Sequence, residues 1–295
     1  MTGRRGLALA GLAVALLVAA LWFSGALSGL EVWAAARQRE AQAMMAGALR
    51  RLQAGQPGAT LALLGICFGY GVVHAVGPGH GKQLIGGYGF GTSVSVGRLS
   101  LLSILSALAQ ASVAVVLVWS GVTLLDLSRE ALTGLGEDAM GDLGAVLIGL
   151  VGLWLGWRGL RHLVRRARHH HHDACGCGHA HGPTAAEVAE TRTLRDALIL
   201  IAGIAARPCT GAIFLLILTW RMDIFATGAA GAMAMGLGTA CVSVGVAVLA
   251  VWARRGSLAL LPAGGTAAGI GSWLPGVMQL AAGAVIAAVA AAMVW

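Results

Sequence analysis

Charge is what this sequence has least of. Asp, Glu, Lys and Arg make up 11% of its 295 residues, where a soluble globular domain carries roughly a quarter. With a mean hydropathy of +0.81, that shortage excludes a water-facing surface over most of the chain. The five cysteines form no secreted disulfide framework. Cys67, Cys209 and Cys241 sit inside apolar runs, where a free cysteine behaves as a small hydrophobe. A nucleotide-binding loop is missing as well. "HAVGPGHGK" (74–82) ends in Gly-Lys, but Val76 and Gln83 stand where a Walker loop needs Gly and Ser or Thr.

What is present is a series of apolar runs, each long enough to span a hydrocarbon layer of about 30 Å. Seven are read, at about 7–27, 60–90, 97–125, 143–163, 196–220, 225–252 and 273–295. The expected fold is therefore all-α and polytopic, with about seven transmembrane helices. The net charge of +8 does not indicate nucleic acid, because the basic residues gather at the ends of apolar runs, as membrane orientation requires. With the N-terminus inside, thirteen Lys/Arg fall in cytoplasmic segments and six in outer ones. That count places the N-terminus and the loop after the fourth span in the cytoplasm. Trp22, Trp119, Trp154, Trp220, Trp252 and Trp295 fall near span ends, like an interfacial aromatic belt. Arg4-Arg5 and "SGA" at 24–26 resemble a cleaved signal. The apolar run exceeds the 7–15 residues usual for one, and a retained anchor is expected.

The second run is too long for one straight helix and carries "HAVGPGHGK". Gly77, Pro78, Gly79 and Gly81 are explained by a proline kink. His74, His80 and Lys82 are not, since ionisable groups at membrane depth are costly and mark ion or proton pathways. Lys82 has an ordinary alternative, snorkelling to the inner interface. On a straight helix His74 and His80 would point about 120° apart. A break at Gly77-Pro78-Gly79 lets both face one ion and releases backbone carbonyls that can coordinate a cation.

A similar break is expected in the fifth span at "ARPCTGAIF" (206–214), where Pro208 follows Arg207 and precedes Cys209 and Gly211. Three spans separate the two breaks, so the broken spans run in opposite directions. Spans 2–4 and 5–7 then read as a 3+3 inverted repeat with two broken helices, a sequence pointer to a transporter's substrate site. The implied units are 1–58 (anchor and outer segment), 59–165 (first repeat), 166–195 (loop) and 196–295 (second repeat). Cys209 is a candidate soft ligand. Gln110 and Thr239 are candidate lining residues, with Ser243 beside them, although such groups also serve as ordinary helix–helix hydrogen bonders.

Between the halves, "HHHHDACGCGHAHG" (169–182) holds six histidines, two cysteines and an aspartate. His169, His170, His171, His172, Asp173, Cys175, Cys177, His179 and His181 are the candidate ligands of a flexible loop that binds several metal ions. Their spacing matches no closed zinc finger.

"HAVGPGHGK", then a His-rich loop, then "RPCTGAIFLL" resemble the NicO, or RcnA-like, nickel/cobalt transporter family over about residues 60–295. The resemblance implies secondary transport of Ni²⁺ and Co²⁺ across the cytoplasmic (inner) membrane, often outward. It points to His74, Pro78, Gly79, His80, Lys82, Pro208 and Cys209. This chain departs from many members at Thr210, where a second proline is common, and at Gln110, where some carry histidine. The cysteines in the loop could widen preference toward Zn²⁺.

The expected function is efflux of divalent transition metal, with import or Zn²⁺ transport as alternatives and no enzymatic activity. Divalent ions and lipid are the expected partners, with a periplasmic accessory protein a further candidate; no resident cofactor and no nucleic acid are expected. A transmembrane thiol–disulfide carrier needs two cysteines that can meet, and the first break has none. A membrane-anchored metal sensor would use the loop alone.

Overall fold

The computed structural model describes residues 26–77, 80–169, 194–259 and 267–293. Among these the chain is helical, with no strand. In chain order the helices are α1 (Ala26–Gln53), α2 (Ala59–Val76), α3 (His80–Gly91), α4 (Val96–Leu125), α5 (Arg129–Gly134), α6 (Met140–His169), α7 (Leu194–Ala205), α8 (Thr210–Arg221), α9 (Phe225–Ala259) and α10 (Ala267–Ala291), with a π-helical turn at Leu135–Ala139 before α6.

Five helical stretches are long and apolar enough to cross a membrane: Ala59–Val76, Val96–Leu125, Met140–Arg165, Phe225–Leu258 and Trp273–Ala291. A sixth span is the bent pair Ala197–Ala205 and Thr210–Arg221, whose axes differ by 61°. The protein is a multi-pass membrane protein. These six match the second to seventh apolar runs of the sequence. The first run, 7–27, lies outside the described residues apart from its last two positions, so the described spans number six rather than seven. Leu61, Val116, Leu153 and Val285 remain largely exposed, as lipid-facing side chains do; in a bilayer such exposure has no hydrophobic cost.

Both expected breaks are present. The second run divides into α2 and α3 between Val76 and His80, with Gly77 as the extended C-cap of α2. The fifth run divides at Ala206–Cys209, and Cys209 is the N-cap of α8. Each follows from a proline that cannot donate an intrahelical hydrogen bond.

Packing places the breaks side by side. α9 lies along α2, α3 and α4; α7 lies against α4 and α6; α6 and α10 share an extensive seam. Small residues permit these approaches, as is common where helices pack in lipid. A Cβ at Gly152 of α6 would come within 2.6 Å of the Ala287 backbone nitrogen of α10. One at Gly71 of α2 would run into the Met235 carbonyl of α9.

Two apolar clusters result. One joins Met45 and Leu49 of α1 to Leu63, Cys67 and Tyr70 of α2, Val118 of α4 and Ile213 to Ile217 of α8. The other joins Leu84, Ile85 and Tyr88 of α3 to Leu99, Ile148, Leu155, Leu200 and Ile286. Residues 74–82, 103–110, 205–210 and 239–243 fall between them along the chain. That intermediate layer holds the polar side chains.

The segment before α2, expected as an outer stretch, is a 28-residue helix packed along α2. Its direction is antiparallel: Met45 meets Cys67, with 3.8 Å between the sulfurs, and Gln38 meets His74. Ala34, Gln38, Ala41, Met45 and Ala48 form the inward face at alternating steps of four and three. The opposite face carries the Arg37–Glu40 ion pair. The turn into α2 uses Gly55 and Gly58 at φ of 68° and 76°, left-handed conformations that glycine adopts without Cβ strain.

Candidate functional site

A cavity of about 220 Å³ occupies the layer between the two apolar clusters. Its walls bring together both breaks and both intact middle spans. His74, Gly81 and Lys82 come from the first break; Arg207, Pro208 and Cys209 from the second; Ser103, Ser106 and Gln110 from α4; Thr239 and Ser243 from α9. Positions 103, 106 and 110 share one helical face, as do 239 and 243.

His74 lies one turn after Tyr70 on α2, and their rings stack with centroids 5.9 Å apart and planes 10° from parallel. The Nδ1 of His74 is 3.2 Å from Oε1 of Gln38 on α1. The Cys209 thiol lies close to both the His74 and the Tyr70 side chains. A nitrogen and a sulfur from two broken spans thus face one another, a donor pair suited to borderline and soft transition metals. Gly211, the second residue of α8, sits against the Tyr70 phenol, where a Cβ would collide with the ring. That glycine lets the Tyr70–His74 stack close on the second break.

The carbonyls released by the first break are not open, contrary to the sequence reading. Lys82 reaches back from α3 and donates to the carbonyls of Ala75 (3.0 Å), Val76 (2.9 Å) and Gly77. Its ammonium therefore caps the negative end of α2 instead of snorkelling to an interface. The second break is tied to α4, where the Gln110 amide donates to the Arg207 carbonyl at 2.7 Å. Across the cavity the Thr239 hydroxyl donates to the Gly71 carbonyl at 3.2 Å. Ser106 Oγ is buried in the cavity wall with no hydrogen-bond partner among the described residues.

The sequence candidates sort as follows. His74, Gly81, Lys82, Gln110, Pro208, Cys209 and Thr239 line the cavity, while Gly77 and Gly211 shape its edges. The His80 backbone opens α3, but its side chain, like Pro78 and Gly79, lies outside the described residues. So do residues 170–181 of the loop; His169 closes α6. Among the described residues no group of three or more His, Cys, Asp or Glu is placed to hold a metal ion. Sequence reading gave no role to Gln38, Tyr70 or Ser106. Tyr70 had a signal, one turn before His74, whereas Gln38 lies in a polar helix that looks like solvated surface.

Two broken helices that meet at a cavity lined with polar side chains, between two apolar layers, are the arrangement that points to the substrate site of a helical membrane transporter. Residues 60–176 match the model of the NicO family, described as high-affinity nickel-transport protein. A relative from Haemophilus influenzae (strain ATCC 51907 / DSM 11121 / KW20 / Rd), whose name is that of a nickel/cobalt efflux system, is 30% identical over 243 residues, 76% of each chain. The chain belongs to the NicO family. No solved structure matches it.

Proposed function

We propose that this protein moves Ni²⁺ and Co²⁺ outward across the cytoplasmic membrane as a secondary transporter, with His74 and Cys209 as ligands in the cavity and His80 as a third. The observation that carries the reading is the meeting of His74 and Cys209, from different broken spans, in one cavity between two apolar layers. Family membership and the efflux system it resembles supply the metal and the direction. The transported ion sheds part of its water to bind imidazole and sulfur, while Gln110, Thr239 and Ser106 offer oxygen or amide contacts to what hydration remains.

The 3+3 inverted repeat, 59–165 against 196–295, supports alternating access by rocking one half on the other. Corresponding elements pack on each other: α4 with α9, α6 with α10, and each broken span's leading half with the other half's middle span. The His-rich loop, 166–195, is read from composition as a cytoplasmic collector of metal. An accessory protein outside the membrane remains a candidate partner. Zn²⁺ is the second cargo to test, because Cys209 favours softer ions.

We read the protein as a carrier and not an enzyme. A thiol–disulfide carrier is disfavoured by the cysteines. Cys209 lines the cavity, Cys67 is buried beside Met45, and Cys241 faces outward. The test is nickel content in cells expressing the chain, beside His74→Ala and Cys209→Ala variants. Lower nickel than in vector cells, reversed by either substitution, supports efflux through this site. Higher nickel, reversed in the same way, reassigns the direction to import. Unchanged nickel with all three proteins overturns the reading.

A further inference from the structure

We infer that Gln38, on the helix preceding the family-matched region, is the positioning residue that fixes which nitrogen His74 offers to the transported metal. The inference rests on the proposed role of His74 as a ligand and adds the group that orients it.

A side-chain carbonyl oxygen can only accept a hydrogen bond. Gln38 Oε1 lies 3.2 Å from His74 Nδ1 and also takes the weaker Tyr70 hydroxyl contact at 3.5 Å. With two neighbours aimed at that oxygen, Nδ1 carries the proton of neutral His74. The lone pair is then on Nε2, the nitrogen left for the cavity that Cys209 shares. Metal-bound histidines usually donate their other N–H in this way, which holds the ring and raises ligand basicity. Tyr70 holds the same ring from its face.

The other end of the Gln38 amide has its own place. A Cβ at Gly77 would lie 3.4 Å from Gln38 Nε2 and 3.3 Å from the Ala34 methyl. The amide therefore sits at the lip of the first break, with its oxygen toward the histidine. Gln42, one turn further along α1, lies close to the Tyr70 side chain. Two glutamines on one face of α1 thus serve the Tyr70–His74 pair, although residues 60–176 alone match the family model.

The experiment compares Gln38→Leu with Gln38→Glu in the full chain reconstituted in vesicles, measuring initial rates of radioactive nickel transport against nickel concentration. Leu keeps the bulk and loses the acceptor; Glu keeps an acceptor in nearly the same place. The expected result is a KM for nickel raised about 10- to 100-fold by Gln38→Leu, the usual effect of losing such a partner, with kcat changed far less. Gln38→Glu recovers most of the lost affinity. In a His74→Ala background, Gln38→Leu adds nothing further, because the two act through one ligand. Gln38→Leu with wild-type KM, or Glu and Leu equally impaired, overturns the inference. Should Gln38→Leu fail to reach the membrane, Gln38→Met, which also lacks the acceptor, replaces it. His74→Ala alone separates the two levels. If it transports nickel normally, the site reading fails; if it is inactive while Gln38→Leu is normal, only the role of Gln38 fails.

Discussion

Replacing Lys82 by Met tests whether a tethered cation holds the first break together. An ammonium has three protons to donate, and three hydrogen bonds run from it to consecutive carbonyls at the end of α2. Hydrogen bonds involving a charged group contribute about 1.5–3 kcal/mol each, and a cation at a helix C-terminus about 0.3–1 more. The sum overstates the loss, because one group makes all three bonds and the cavity admits water to the freed carbonyls. A net loss of about 3 kcal/mol is expected, near the upper value for one such bond. At about 2–4 °C per kcal/mol, the melting temperature falls by about 6–12 °C. Lys82→Arg should fall between, since a planar guanidinium cannot converge on three successive carbonyls as an ammonium does. Thermal unfolding of the purified protein in detergent, followed by tryptophan fluorescence, reads the effect. A Lys82→Met protein melting within about 2 °C of wild type, less than about 1 kcal/mol by the same conversion, would refute the reasoning.

Cys209→Ser keeps a small polar group but replaces sulfur by oxygen; nickel transport should fall by more than about tenfold, with softer ions losing most, as read by competition between metals. Gly71→Val drives a side chain into the Met235 carbonyl and should cost about 1–3 kcal/mol by overpacking, measured as a lowered melting temperature. Deleting 169–181 should remove several bound metal ions per chain in equilibrium dialysis while transport persists at saturating nickel. Loss of all transport would instead make the loop part of the path.

The spans were legible because apolar run length is a one-dimensional property. The runs at 97–125 and 225–252 appear as Val96–Leu125 and Phe225–Leu258. The breaks were legible because proline and glycine act locally, and both fall at Gly77-Pro78-Gly79 and Pro208. Whatever depends on what lies opposite was not legible. The reach of Lys82 back to Gly77 depends on the angle of the break, which composition does not encode. Gln38 meets His74 only because α1 folds back along α2, whereas the sequence, with Arg37, Arg39 and Glu40 around it, offered only a polar segment between two spans. Gln110 and Thr239 were legible as polar residues within apolar spans, but their partners, the Arg207 and Gly71 carbonyls, lie across the bundle and leave no trace in sequence.

The charge of the cavity bears on why such a site would transport a metal and not store it. Its charged lining residues are Lys82 and Arg207; none of the described lining residues is Asp or Glu. Lys82 is largely offset by the carbonyls it caps, and among the described lining residues a divalent ion meets no carboxylate. Its attraction must come from the His74 nitrogen and the Cys209 sulfur, and metal binding at such ligands displaces protons. Sites that hold hard divalent ions for long periods surround them with several carboxylates. A carrier needs the opposite, an ion bound well enough to enter and weakly enough to leave. Adding a carboxylate should therefore convert one behaviour into the other. Ser106→Asp places an anion on a buried wall position whose hydroxyl has no partner among the described residues, facing the same cavity. The expected outcome is tighter nickel binding with slower turnover, a lower KM and a lower kcat together. Faster transport at saturating nickel would show that release is not what limits this protein.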